Sequence, residues 1–121
     1  MHSEVSVTTA IKYDLLLKGG RVIDPANNVD GVFDIAIAGR YVSAVEKDIS
    51  PGLARKVADV SGLVVTPGLI DLHAHFYGYF AAVLPDAHCL PNGTTTAVDV
   101  GGAGHLTFDD FDETVISTAK T

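Results

Sequence analysis

With 121 residues, 47% of them hydrophobic and 19% charged, the chain has the apolar content of a packed core, which argues against disorder. A formal net charge of −7, with no basic run, argues against a nucleic-acid partner or an anionic membrane surface. The single cysteine, Cys89, excludes an internal disulfide, fits a reducing compartment and reads as a small buried apolar residue rather than a nucleophile.

Met1 to Ile11 carry neither a positive start nor an apolar stretch, so they do not read as a signal peptide. No apolar run approaches the roughly 20 residues of a membrane span. The expectation is a soluble, cytoplasmic protein. Met1 to Thr9 read as a loose polar terminus. Leu15-Leu16-Leu17 and Arg21-Val22-Ile23 then read as strands around a Gly19-Gly20 turn. Asp24-Pro25-Ala26-Asn27-Asn28 is dense in turn formers. Val32 to Ala38 and Tyr41 to Val45 read as a hairpin, with Gly39-Arg40 as a type II′ link. After Ser50-Pro51-Gly52, Lys56 to Val60 and Leu63 to Val65 bracket Ser61-Gly62 as a last hairpin. Short strands with frequent turns predict a small β-sandwich or sheet over residues 1–67.

From Gly68 the character changes to α/β. Thr66-Pro67-Gly68-Leu69-Ile70-Asp71-Leu72-His73-Ala74-His75 reads as a turn and a short buried strand. Gly78 to Leu90 reads as a helix interrupted by Pro85. Thr94 to Val100 is a β-branched strand, and Gly101-Gly102-Ala103-Gly104 a loop at its end. Thr107 reads as the N-cap of a helix, with Asp110 as its capping-box partner. Phe108, Phe111, Val115 and Ile116 form the apolar face of that helix. Asp109, Asp110, Asp112 and Glu113 crowd its first turns, where the helix dipole favours acids. The order β-α-β-α over residues 68–121 predicts two units of a parallel α/β sheet or barrel.

Side chains two apart in a strand share a face, so Asp71, His73 and His75 point one way. Two imidazoles about 6–7 Å apart along one face can converge on one divalent cation, for which neutral imidazole is the commonest nitrogen ligand. A polar Asp-x-His-x-His face on an apolar strand costs stability unless something satisfies it, and a metal ion would. Zinc, manganese, iron and nickel all accept imidazole. Asp99 can reach the same end as His75 or close the glycine loop behind it. That loop lacks the Gly-Lys-Ser/Thr ending of a P-loop and the third glycine of a dinucleotide fingerprint. His88 and His105 have no partner at useful spacing, and His2 is terminal.

These segments resemble the amino-terminal part of the amidohydrolase superfamily, in its dihydroorotase, hydantoinase and N-acyl-amino-acid deacetylase branches. The resemblance is carried by Tyr13 to Pro25, Asp34-Ile35-Ala36-Ile37 with Gly39, Ser61 to His75, Gly93-Thr94-Thr95-Thr96 and Asp99. Pro-Gly-x-x-Asp-x-His-x-His is its specific part. The resemblance implies a β-sandwich segment, the composite domain of metal-dependent hydrolases, over 1–67. It implies the start of a metal-bearing TIM-like (β/α) barrel over 68–121. It further implies that His73 and His75 bind the more buried of one or two divalent ions, most simply zinc, with Asp71 and Asp99 as supporting groups. The activity implied is hydrolysis of a small-molecule amide or acyl-amino-acid-like substrate by metal-activated water.

Dihydroorotases carry an arginine shortly after the histidine pair; here Phe76-Tyr77 stand there, and Gly-Thr-Thr-Thr with Asp99 looks closer to the deacetylase branch. Residues 68–121 have room for about two βα units of roughly 30 residues, against eight in a full barrel. The family's bridging lysine, later histidines and catalytic aspartate have no counterpart before Thr121. The expectation is therefore an incomplete hydrolase with little turnover alone. The competing readings are a non-catalytic module that forms homo-oligomers through exposed strand edges and a simple metal-binding protein.

Overall fold

The computed structural model describes residues 10–121, which divide into two units between Pro67 and Gly68. The expectations for Met1 to Thr9, His2 included, lie outside the described residues. In the first unit β1 (Tyr13–Asp24) is the spine. β2 (Val29–Ala38) lies antiparallel to it and β3 (Tyr41–Glu46) antiparallel to β2. β4 (Ala54–Asp59) and β5 (Val64–Val65) both run parallel to β1.

The Gly19-Gly20 pair does not reverse the chain. β1 continues through it as one strand, with a register slip against β2 between Leu17 and Gly20. Nor do β4 and β5 form a hairpin. They follow one another along the same edge of β1, β4 beside Tyr13–Lys18 and β5 beside Arg21–Val22. Ser61-Gly62 steps the chain around the irregularity, held by Val60 N–H to Lys18 O at 2.9 Å and Arg21 N–H to Leu63 O at 3.0 Å. A Cβ on Gly19, whose φ is +77°, would lie 2.6 Å from Ser61 Oγ, and one on Gly20 2.9 Å from methyls of Val60 and Val65. The glycines are there for close approach, a role that in sequence looks like a turn.

Two expected turns do form. Asp24 accepts the Ala26 N–H at 3.1 Å and opens a single 3₁₀ turn, Pro25–Asn27, which ends on Asn28 at φ 54°. Gly39 has φ 59° and Arg40 a negative φ, the sign pattern of a type II′ link between Ala38 and Tyr41. The small β-sandwich expected here is, among the described residues, one mixed sheet of five strands. Every strand pairs into the same layer because β1 is bonded along both edges. Tyr13, Leu16, Ala36, Ile49 and Ala54 form the core on this sheet.

Asp34 is the buried carboxylate of the unit, 2% exposed. It accepts Ile49 N–H at 2.8 Å, Gly19 N–H at 2.9 Å and the Lys18 ammonium at 2.7 Å. Lys18 also reaches Asp48 at 2.9 Å and Ile49 O at 3.1 Å. Burial alone would raise the Asp34 pKa; Lys18 and the two amides more than offset it and hold the acid below the usual carboxylate range. This group ties the β1 irregularity to the segment that supplies Ile49.

In the second unit β6 (Leu69–Ala74) and β7 (Thr94–Asp99) form a parallel pair. The helix expected over Gly78–Leu90 shrinks to α1 (Pro85–His88). Pro85 begins this helix rather than interrupting it, because proline suits the first helical position and keeps Leu84 extended, at ψ 125°. α2 (Phe108–Phe111) continues as a π turn, Asp112–Ile116. The capping box is not made. Thr107 Oγ1 accepts the Gly104 N–H at 3.0 Å instead, and Asp110 accepts the Tyr77 hydroxyl. Thr114 and Thr118 hydroxyls donate to carbonyls four residues back, at 2.6 and 3.0 Å, where the turn widens. Phe111 is buried, while Phe108 and Ile116 on the same stripe are half exposed. β6 is not the buried strand expected: Leu69, Ile70 and Leu72 are 56%, 63% and 71% exposed. Among the described residues its only pairing partner is β7.

Replacing Asp34 with alanine is expected to destabilise the chain by about 2–4 kcal/mol, because it strands a part-buried Lys18 and two amides. The folded pKa of Asp34 is depressed, so its stabilisation is fully present above the ordinary carboxylate pKa and is lost as pH falls through the folded value. Urea unfolding of both proteins across that acid range checks this: the gap should be widest near neutral pH and narrow on acidification.

Candidate metal site

The site is built on the end of β6. Gly68 opens the strand where a Cβ would sit 2.0 Å from Thr95 Oγ1, so only glycine lets the chain pass β7 there. β6 carries Asp71 and His73 and ends at Ala74, with its pairing to β7 irregular between Asp71 and Ala74, and His75 follows directly. The two imidazoles come together edge-on, with centroids 5.6 Å apart and planes at 82°. His73 is exposed and His75 half-buried. His75 stacks on Tyr79, with centroids 4.6 Å apart and planes at 27°. Its Nδ1 is buried and without a hydrogen-bond partner among the described residues.

Three backbone contacts fix the segment that carries His75. Ala74 O accepts Val100 N–H at 3.1 Å, and His75 O accepts Val83 N–H at 3.0 Å. Phe76 N–H donates to Asp99 Oδ2 at 2.7 Å. The other oxygen of Asp99 accepts Gly101 N–H at 3.0 Å and Gly102 N–H at 2.8 Å. Burial pushes the Asp99 pKa up, but these amides, with His75 nearby, bring it below the usual carboxylate range. The two loops meet backbone to backbone: a Cβ on Gly102 would lie 1.7 Å from Tyr77 O, and one on Gly78 2.6 Å from Gly102 O.

The remaining residues singled out in the sequence are placed as follows. Asp71 is exposed and its Oδ1 accepts the His73 N–H at 3.0 Å, a local bond to backbone. His88 on α1 and His105 beyond the glycine loop are exposed. Cys89 is buried; burial, then the charges of Asp71 and Asp86, push its thiol pKa up, which makes it a poor nucleophile. Among the described residues no three His, Cys, Asp or Glu side chains gather as a cation cage. The chemistry of the donor set therefore fits two positions on a divalent ion, from His73 and His75, and leaves the others open. Tyr79 was not legible as part of this cluster, since residues 75–79 form neither strand nor helix and Gly78, at φ 65°, turns the chain between the two rings.

No protein-family model matches the chain. Over 62 residues, 51% of the chain, it is 45% identical to a dihydroorotase of Geobacter sulfurreducens (strain ATCC 51573 / DSM 12127 / PCA). The fold superposes on an adenine deaminase with a TM-score of 0.73 and 32% identity, covering 91% of this chain and 29% of that one. It also superposes on D-aminoacylase, described as having a binuclear metal centre and as defining a subset of amidohydrolases. There the TM-score is 0.59 and the identity 35%, over 73% of this chain and 18% of that one. The chain belongs to the amidohydrolase superfamily. The amidohydrolase segment seen here spans about 15% of the length of the curated relatives it matches.

In this amidohydrolase segment Asp99 bears a load that Asp71 does not. Asp99→Ala is expected to cost about 1–3 kcal/mol, the desolvation penalty of amides left without an acceptor. Asp71→Ala should stay within about 0.5 kcal/mol, as exposed substitutions do. Chemical denaturation of the two variants at neutral pH, followed by a signal from the second unit, distinguishes them.

Proposed function

We propose that the chain is the amino-terminal part of a metal-dependent hydrolase acting on carbon–nitrogen bonds of small, non-peptide amides. In this reading residues 1–67 are the sheet segment of the composite domain and residues 68–121 are the first two βα units of a TIM-like barrel. The observation that carries it is the His73–His75 pair, edge-on at 5.6 Å with a buried, unpartnered nitrogen on His75.

His73 and His75 hold a divalent metal ion, zinc in the simplest case, as neutral imidazoles. When bound, such an ion supplies Lewis acidity toward a carbonyl and a water acidic enough to ionise near neutral pH. Asp99 keeps the His75 segment in place through the Phe76 amide, and Asp71 fixes the backbone at His73. A catalytic zinc ordinarily has three protein ligands and a water. Two histidines leave the donor set short, and the general-base aspartate of the family would lie beyond Thr121, so the 121-residue chain alone should turn over little substrate. Names such as dihydroorotase, adenine deaminase and D-aminoacylase among its relatives favour a small-molecule substrate. No helix among the described residues is long and apolar enough to cross a membrane; the proposed cytoplasmic location rests instead on the lone Cys89, whose usage suits a reducing compartment.

Exposed Leu69, Ile70 and Leu72 on β6 favour a second property of the same chain, self-association. It is an accompaniment to the metal site rather than a rival to it.

Calorimetric titration with zinc tests the proposal. The wild-type chain should bind, and His73→Ala or His75→Ala should each weaken binding by more than about ten-fold, at least as much as losing a group that only orients a ligand. Unchanged affinity in both variants would rule the site out. N-acetyl amino acids should be hydrolysed hardly at all by the zinc-loaded chain; turnover at the rate of a full-length relative would contradict the incomplete-site argument. Light scattering should show mass rising with concentration, whereas a monomer at all concentrations would count against association.

A further inference from the structure

The ring of His75 raises a question that the ligand assignment leaves open. A ligating imidazole is ordinarily oriented by a hydrogen bond to its other nitrogen. Among the described residues no hydrogen bond orients either ring nitrogen of His75, the buried Nδ1 included. Two aromatic rings pack on it, His73 edge-to-face and Tyr79 stacked.

We propose that Tyr79 is a positioning residue, whose ring sets the plane of the His75 imidazole so that it presents a nitrogen to the cation shared with His73. The inference rests on the cation-site reading above. Tyr79 is itself well held. Gly78, at φ +65°, turns the chain against Gly102 O, 2.6 Å from where a Cβ would be. Tyr79 O accepts Ala82 N–H at 3.0 Å, and Val83 N–H returns to His75 O at 3.0 Å. Residues 75–83 thus form a closed turn that brings the phenol face back over the imidazole. The ring spacing of 4.6 Å and tilt of 27° are those of an offset stack. Tyr79 is 47% exposed, so its ring covers the histidine without being part of a closed core. Phe80, the next residue, is 95% exposed and touches Tyr79 at a centroid distance of 4.8 Å. It serves as a control for removing an aromatic from the same turn.

The test uses the whole 121-residue chain with two probes, zinc by calorimetry and cobalt(II) by its visible absorption. Tyr79→Leu should weaken zinc binding about ten-fold, the size of effect seen when a group that orients a ligand is lost, and should change the cobalt(II) spectrum. Tyr79→Phe keeps the stack and should bind within about two-fold of wild type. Phe80→Leu should bind as wild type does. The thermal midpoint of metal-free Tyr79→Leu should match that of wild type, which a purely structural role would lower. Wild-type affinity and spectrum in Tyr79→Leu would overturn the inference, as would a loss of affinity matched by a lower metal-free midpoint. Should Tyr79→Leu fail to fold, Tyr79→Gln is read in the same way, and failure of both overturns the positioning role. Zinc binding that needs both histidines but ignores Tyr79 defeats this inference alone. A wild-type chain that binds no zinc through His73 and His75 defeats the site itself.

Discussion

A single carboxylate decides the geometry of the second unit. Asp99 stands at the end of β7 and accepts amides from two different loops, Phe76 after β6 and Gly101-Gly102 after β7. Parallel neighbours offer no hairpin to tie their ends together, and two strands alone make a marginal sheet. A charged acceptor shared among three N–H donors is a stronger tie than a ladder bond, since bonds to ionised groups are about twice as strong as neutral ones. The glycines complete it. Gly78 and Gly102 let the loops touch at distances that any side chain would forbid. His75 lies between β6 and the Asp99-bound amide of Phe76, so the imidazole inherits its position from a backbone with little freedom.

The first unit solves a similar problem with the same chemistry. Asp34 joins Gly19, Ile49 and Lys18 where β1 departs from regular pairing. Here the carboxylate is almost completely buried, so the acid must bring its own cation and amides with it. In both units the irregular backbone at a glycine is where the carboxylate is spent. The apolar pattern of β6 tells a different story. Parallel strands ordinarily have both faces covered, and Leu69, Ile70 and Leu72 are open in this chain. Such a strand is written for a buried position, which accords with the proposed barrel and with association of the 121-residue chain.

The sequence revealed what depends on near neighbours. The Val32–Ala38 and Tyr41–Val45 strands and their Gly39-Arg40 link were readable because alternation and turn chemistry are local signals. His73 and His75 were expected on one strand face; their rings do meet, at 5.6 Å, although β6 ends at Ala74. What could not be read is non-local. Gly19-Gly20 and Ser61-Gly62 carry the signature of turns, yet they are two sides of one close approach between β1 and the β4–β5 edge. The partner that converts a turn signal into a bulge lies some forty residues away, at Val60 and Val65 for Gly20. Thr107 has the residue type of an N-cap, but its hydroxyl is taken by Gly104 and its expected partner Asp110 by Tyr77. Asp99 was visible as a residue that could close the glycine loop or reach toward His75. Its third bond, to Phe76, shows that one carboxylate reaches both places.

The central claim is that His73 and His75 grip one divalent ion together. X-ray absorption at the zinc edge of the chain loaded with one equivalent of zinc measures this most directly. The account predicts two imidazole nitrogens at about 2.0–2.1 Å with oxygen completing the shell, and loss of one imidazole's scattering in either histidine variant. A shell of oxygens alone, or one unchanged when His73 or His75 is replaced, would contradict it.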